Sequence, residues 1–138
     1  MKVGEVCIRE VEVIAPTRSS ATAARQLREK AVGTLVVVDE NRRPLGIVTD
    51  RDLMARCIAD LHDPRRTTVG AVMSGPVAWI HEEAPVEAAL EEMARLRIRR
   101  LVVVDARERL VGMLALDDLL CRELDATSAL GRALRATM

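Results

Sequence analysis

The sequence predicts an α/β (α+β) chain made of two copies of one small β-α-β-β-α unit. Three observations carry that expectation. A block of residues recurs at one constant offset, apolar patterns switch between strand and helix periods inside each copy, and the composition is almost purely aliphatic. Leu35-Val36-Val37-Val38-Asp39 returns as Leu101-Val102-Val103-Val104-Asp105, 66 residues on (35 to 101). At the same offset Ile14 maps to Ile80, Gly46 to Gly112, Asp52-Leu53 to Asp118-Leu119 and Arg56 to Arg122. One offset held over most of the chain marks a duplication. The copies span 1–66 and 67–138, with the break near Asp63-Pro64-Arg65-Arg66-Thr67-Thr68, where polar residues and a proline interrupt both patterns.

In chain order, the first strands are Val11-Glu12-Val13-Ile14 and Val77-Ala78-Trp79-Ile80. A helix follows each. In the second copy Val86, Ala89, Leu90, Met93 and Leu96 make one apolar stripe at helical spacing, with Pro85 in the first turn. Glu82, Glu83 and Glu87 near its start and Arg95 and Arg97 near its end complement the helix dipole. The first copy carries a weaker stripe, Ala21, Ala24, Leu27 and Ala31. The Leu-Val-Val-Val runs are continuous and β-branched, as expected of strands covered on both faces. Short polar loops, 40–44 and 106–109, then lead into Leu45-Gly46-Ile47-Val48 and Leu110-Val111-Gly112-Met113-Leu114, a length that fits antiparallel hairpins. Closing helices start near Asp50 and Asp117. Leu53, Met54, Cys57 and Ile58 form one expected buried stripe, and Leu119, Leu120 and Leu124 the other. The tail from Thr127 to Met138 has a short helical pattern through Leu130, Ala133 and Leu134. A unit of this size buries little surface alone, so the two copies are expected to pack on each other.

Composition narrows the function classes. Apolar residues make up 49% of the 138, enough for a real core. Trp79 is the only aromatic residue and the formal charge is zero, so the stacking rings and positive field of a nucleic-acid binder are both missing. Trp79 and Met113 read as core residues. The basic residues other than Lys2 and Lys30 are all arginine, a compositional bias against which arginine clusters are weighed. Cys7, Cys57 and Cys121 form neither a disulfide framework nor a zinc spacing, and they read as small buried residues in a reducing, cytoplasmic setting. No signal peptide, membrane span or metal-ligand spacing is expected; His62 and His81 read as surface residues. No phosphate-binding glycine loop and no nucleophile–base pair can be assembled, so no catalytic residue and no enzymatic activity are expected.

The one chemical motif is Gly46-Ile47-Val48-Thr49-Asp50-Arg51-Asp52-Leu53. Thr49 followed three residues later by Asp52 is a helix-capping pattern. The same residues can also bind a nucleotide, because a carboxylate accepts hydrogen bonds from both vicinal ribose hydroxyls while Thr49 and Arg51 attract phosphate. The second copy reads Gly112-Met113-Leu114-Ala115-Leu116-Asp117-Asp118-Leu119. Ala115 cannot cap, yet Asp118 persists at the position of Asp52, which supports the ligand reading without excluding the capping one.

On this motif, on Leu35-Val36-Val37-Val38-Asp39 with its copy, and on Val72-Met73-Ser74, the chain resembles the CBS (cystathionine β-synthase) domain in the tandem arrangement called a Bateman module. The resemblance runs from about Val6 to Leu124 and is that of a stand-alone CBS protein. It implies two repeats packed by a pseudo-two-fold axis through their sheets, with two related clefts, and a disc-shaped homodimer. It implies a first site of Ile47, Thr49, Arg51 and Asp52 with Val77, Ala78, Ile98, Arg99 and Arg100. A second site would use Met113 and Asp118 with Glu12, Val13, Gly33 and Thr34. The ligands implied are AMP, ADP, ATP or S-adenosylmethionine, with ribose on Asp52 and phosphate near Thr49 and the arginines. The second site departs from the pattern at Ala115, at Gly33-Thr34 in place of Arg99-Arg100, and at Glu12 in place of Ala78, and is expected to bind phosphate more weakly. The implied role is a ligand sensor acting on a regulated partner. A dimeric interaction scaffold with empty clefts is the alternative.

Overall fold

A computed structural model describes residues 1–123 and 129–137. The first copy supplies a short helix α1 (Val3–Val6), strand β1 (Val13–Ile14), helix α2 (Ser20–Lys30), strands β2 (Thr34–Val38) and β3 (Pro44–Thr49), and helix α3 (Asp50–Leu53). The second copy repeats them as α4 (Val69–Val72), β4 (Trp79–His81), α5 (Val86–Leu96), β5 (Arg100–Val104), β6 (Leu110–Ala115) and α6 (Leu116–Glu123). The tail pattern forms α7 (Ala129–Ala136). Among the described residues the sheets are three-stranded, in the orders β1-β2-β3 and β4-β5-β6. β1 runs parallel to β2, β4 runs parallel to β5, and β2 and β3 form the expected antiparallel hairpin, with Val36 opposite Ile47.

The packed units trade ends. One holds Glu10–Ala78 with Glu108–Leu110; the other holds Met1–Arg9, Trp79–Arg107 and Val111 onward. In the first, α4 of the second copy is tied down by Val69 N–H donating to Arg18 O (2.8 Å) and Gly70 N–H to Pro16 O (2.9 Å). In the other, the N-terminal arm makes the matching bonds, Val3 N–H to Ala84 O and Gly4 N–H to Glu82 O (2.8 Å each). Glu82 and Glu83, expected to serve the helix dipole, also pair with Arg9 and Lys2 of this arm. Val69 and Val72 join Ile14, Ala23, Leu27, Leu35, Val37, Val48, Leu53 and Cys57 in the core of the first unit. Val3 and Val6 are buried at the matching places in the second.

Several expectations about local faces are corrected. β1 (Val13–Ile14) and β4 (Trp79–His81) both begin two residues later than the expected 11–14 and 77–80, and β4 runs one residue further. The buried face of α2 is Ser20, Ala23 and Leu27, while Ala24 and Ala31 are exposed. Ala31 lies beyond the helix with φ 53°, and Arg97 repeats that conformation in the second copy. On α5 Ala89 and Met93 are buried, whereas Leu90 and Leu96 are exposed, and Pro85 is the N-cap rather than the first turn. Trp79 is 44% exposed on its edge strand, edge-on to His81, and is not core. Cys57 and Cys121 are buried and Cys7 is half-buried; His62 and His81 are exposed. After Leu53 the helix continues as a π-helical turn over Met54–Ile58, closed by Ala59 N–H on Met54 O at 2.8 Å. Leu53 and Cys57 face the core there, but Met54 (59%) and Ile58 (56%) are exposed. Leu120 is likewise exposed; Leu124, with Thr127 and Met138 of the tail, lies outside the described residues.

Ser20 is 1% exposed and its hydroxyl has no hydrogen-bond partner among the described residues. The matching residue of the second copy is Val86, so the fold accepts an apolar side chain there. A buried, unbonded hydroxyl costs about 1–3 kcal/mol. Ser20→Ala is therefore expected to raise stability by about 1 kcal/mol. Urea denaturation checks this, and a loss of stability would mean that the hydroxyl has a partner.

Candidate ligand-binding site

Strand β3 ends at Thr49, where the chain turns into α3. Thr49 Oγ1 accepts from the Asp52 N–H (3.1 Å), and Asp52 Oδ2 accepts from the Thr49 N–H (3.0 Å). This reciprocal capping box is the helix cap that Thr49 and Asp52 predict. It does not exhaust Asp52, which is only 9% exposed. Its Oδ1 accepts a second hydrogen bond to the carboxylate, from Ser74 Oγ at 3.0 Å, and the Arg56 guanidinium lies 3.6 Å away. Arg56 Nη1 also reaches Val72 O and Met73 O (2.9 Å each) and Ser74 Oγ (3.1 Å). A carboxylate offers about four lone-pair directions, so the fixed carboxylate keeps acceptor capacity for a ligand.

Ile47, half-buried on β3, is held by paired backbone bonds with Ser74, Ile47 N–H to Ser74 O (2.9 Å) and Ser74 N–H to Ile47 O (2.8 Å). Val77 and Ala78 are half-buried at the end of the same unit, and Arg51 is exposed on α3. The unit thus contains Ile47, Thr49, Arg51, Asp52, Val77 and Ala78 of the first expected site. Ile98, Arg99 and Arg100 belong to the other unit. There Arg99 is ion-paired with Asp117, and its carbonyl accepts from Leu116 N–H at 2.8 Å.

The second expected site divides in the opposite sense. Glu12, Val13, Gly33 and Thr34 lie in the first unit, with Glu12 Oε1 3.9 Å from Lys30 Nζ and Val13 O accepting from Gln26 Nε2 at 3.0 Å. Met113 and Asp118 lie in the other unit. Met113 is half-buried and pairs with Ile8 as Ile47 pairs with Ser74. Ile8 therefore stands where the first motif has Ser74, and Ala115 where it has Thr49. Partial burial pushes the Asp118 carboxyl above the usual aspartate range; Asp117 adds to the rise and Arg100 opposes it.

A carboxyl raised in this way favours the folded state below its unfolded value of 3.8 and loses that contribution as pH rises through the folded value. Asp118→Asn is expected to stabilise the protein at neutral pH and to bring no gain below pH 3.8. Unfolding midpoints on either side of that range check it, and a pH-independent difference would contradict it.

Sequence reasoning missed Ser74 and Arg56 as partners of Asp52. Arg56 lies four residues after Asp52, a helical spacing that places it one turn away, whereas the approach of Ser74, 22 residues on, is tertiary. Among the described residues no cluster of three or more histidine, cysteine or acidic side chains could hold a metal, and no helix is long and apolar enough to cross a membrane.

The family model of the CBS domain matches residues 3–58 and 69–124, and the chain belongs to that family. An uncharacterized protein of Methanopyrus kandleri is 34% identical over 120 residues, covering 87% of this chain and 61% of its own length. The crystal structure of Hypoxic Response Protein I with two coordinated zinc ions superposes with a TM-score of 0.78 at 25% identity, over 91% of this chain and all of that one. The cytosolic domain of the Mg2+ channel MgtE in complex with ATP gives 0.74 at 29% identity, over 86% of this chain and 47% of that one.

Proposed function

We propose that this protein is a non-catalytic regulatory module that senses an adenine nucleotide or adenosine derivative. The observation that carries the reading is Asp52, a nearly buried carboxylate held by Thr49, Ser74 and Arg56. The MgtE structure, a relative by fold and sequence, has ATP bound. In this reading the ribose diol binds Asp52, the base lies against Ile47, Val77, Ala78 and Ile98, and phosphate meets Thr49, Arg51, Arg99 and Arg100. AMP, ADP, ATP and S-adenosylmethionine all present the adenosine this requires. A second site, on Met113, Asp118, Glu12, Val13, Gly33 and Thr34, binds phosphate-bearing ligands about ten- to a hundredfold more weakly for want of one or two charge-assisted contacts.

The module works as a cytoplasmic homodimer whose ligand state a separate protein reads. Met54 and Ile58, one turn apart and exposed, favour a second copy as the cover for that helix face. They also favour a second reading, in which dimerisation is itself the function and the clefts stay empty. Calorimetric titration with AMP, ATP and S-adenosylmethionine, on protein whose mass is fixed by sedimentation, separates the two. Micromolar binding with unequal sites supports the sensor. No heat with any ligand from a folded dimer overturns it in favour of the scaffold.

A further inference from the structure

We propose that Ser74 is a positioning residue for Asp52, its hydroxyl donating to the carboxylate, and that this arrangement makes the site selective for a complete ribose diol. The proposal rests on reading Asp52 as the ribose-binding group. A guanidinium only donates hydrogen bonds. Arg56 Nη1 shares its two protons among Val72 O, Met73 O and Ser74 Oγ (3.1 Å), and an ionised carboxylate only accepts, so the single Ser74 proton is directed to Asp52 Oδ1, 3.0 Å away. The other carboxylate oxygen is pinned by the Thr49 N–H. Both oxygens are thereby held, and the plane of the carboxylate with them, before any ligand arrives. Two vicinal hydroxyls need two acceptors oriented at once, whereas a lone hydroxyl needs one and can follow a rotating carboxylate. Fixing the plane in advance therefore favours the diol over the single hydroxyl, since the ordering cost is already met.

Ser74 itself is held by its two backbone bonds to Ile47, and the two Arg56–carbonyl contacts fix the guanidinium. The second repeat is the internal contrast. Ile8 and Ala115 stand at the positions of Ser74 and Thr49, so neither of these hydroxyls is available to Asp118.

The test compares AMP with 2′-deoxy-AMP on the wild type, Ser74→Ala and Ser74→Thr, each with its unfolding midpoint. Ser74→Ala should weaken AMP about tenfold, the effect of one lost hydrogen bond to a charged group, and 2′-deoxy-AMP much less. The preference for ribose then shrinks, and Ser74→Thr restores it. Equal weakening of both nucleotides, or no weakening, overturns the positioning role while leaving the nucleotide site intact. A wild type that binds AMP without preferring it to 2′-deoxy-AMP overturns the diol reading of Asp52. Failure to bind either overturns the proposed function, and in both cases this inference goes with it.

Discussion

Gly46→Ala is expected to cost about 3 kcal/mol of stability, because the added methyl has nowhere to go. A Cβ at residue 46 would lie 2.6 Å from Ser74 O and 3.0 Å from Met73 Sδ. The methionine can move, but the carbonyl is fixed by the Ile47 N–H it accepts at 2.9 Å. Relieving the clash means pulling Ser74 off β3, which breaks the paired bonds and disturbs Asp52. The unfolding midpoint should fall by about 10 °C, from roughly 2–4 °C per kcal/mol in a chain somewhat larger than this. Gly112→Ala should do the same in the other unit, where Ile8 O is 2.6 Å away. Gly33→Ala is the control: among the described residues nothing lies within 4 Å of the added Cβ and its φ is not positive, so it should be neutral or slightly stabilising. A Gly46→Ala protein as stable as the Gly33→Ala one would mean that Ser74 does not pack against β3.

Asp52→Asn is expected to weaken AMP binding about a hundredfold or more, with a smaller effect on folding. Two hydrogen bonds from ribose hydroxyls to a charged acceptor, at about 1.5 kcal/mol or more each, set that scale. Asparagine keeps one oxygen for the Thr49 N–H or the Ser74 hydroxyl, so the cap is only partly lost. What disappears is the charge beside Arg56 and the second acceptor oxygen, and the amide N–H2 now faces donors. The structural cost of one such mismatch is about 1–3 kcal/mol. Calorimetry and thermal unfolding on the same variant separate the two effects. A variant that binds AMP normally but unfolds earlier would restrict Asp52 to capping.

The β-α-β-β-α order was legible because each element's code is local. The Leu-Val-Val-Val runs became β2 and β5, and the polar loops after them led into β3 and β6. Where a helix has apolar residues on more than one side, periodicity does not say which face is covered. Met54 and Ile58 read as core beside Leu53 and Cys57, and a π-helical turn left them outside. The short helices α1 and α4 went unread, since a Val-x-x-Val spacing of four residues is too brief for a periodic signal. The left-handed residues Ala31 and Arg97, and Arg42 and Glu108, recur 66 residues apart (31 to 97, 42 to 108) without a glycine to announce them.

By itself the sequence determined the duplication, the β-α-β-β-α order of each copy and the aspartate at the start of each closing helix. These follow from repeat identity, from strand and helix periods and from the chemistry of a short motif, all properties of neighbouring residues. Only the tertiary structure decided that the leading segment of each copy packs against the sheet of the other. That exchange brings Ser74 to Asp52, which already has Arg56 one helical turn away, and puts Ile8, which has no hydroxyl to offer, at the matching place beside Met113. Residues 52 and 74 are joined by a hydrogen bond across a chain fold, and no local pattern records which distant backbone will come to rest beside a given side chain.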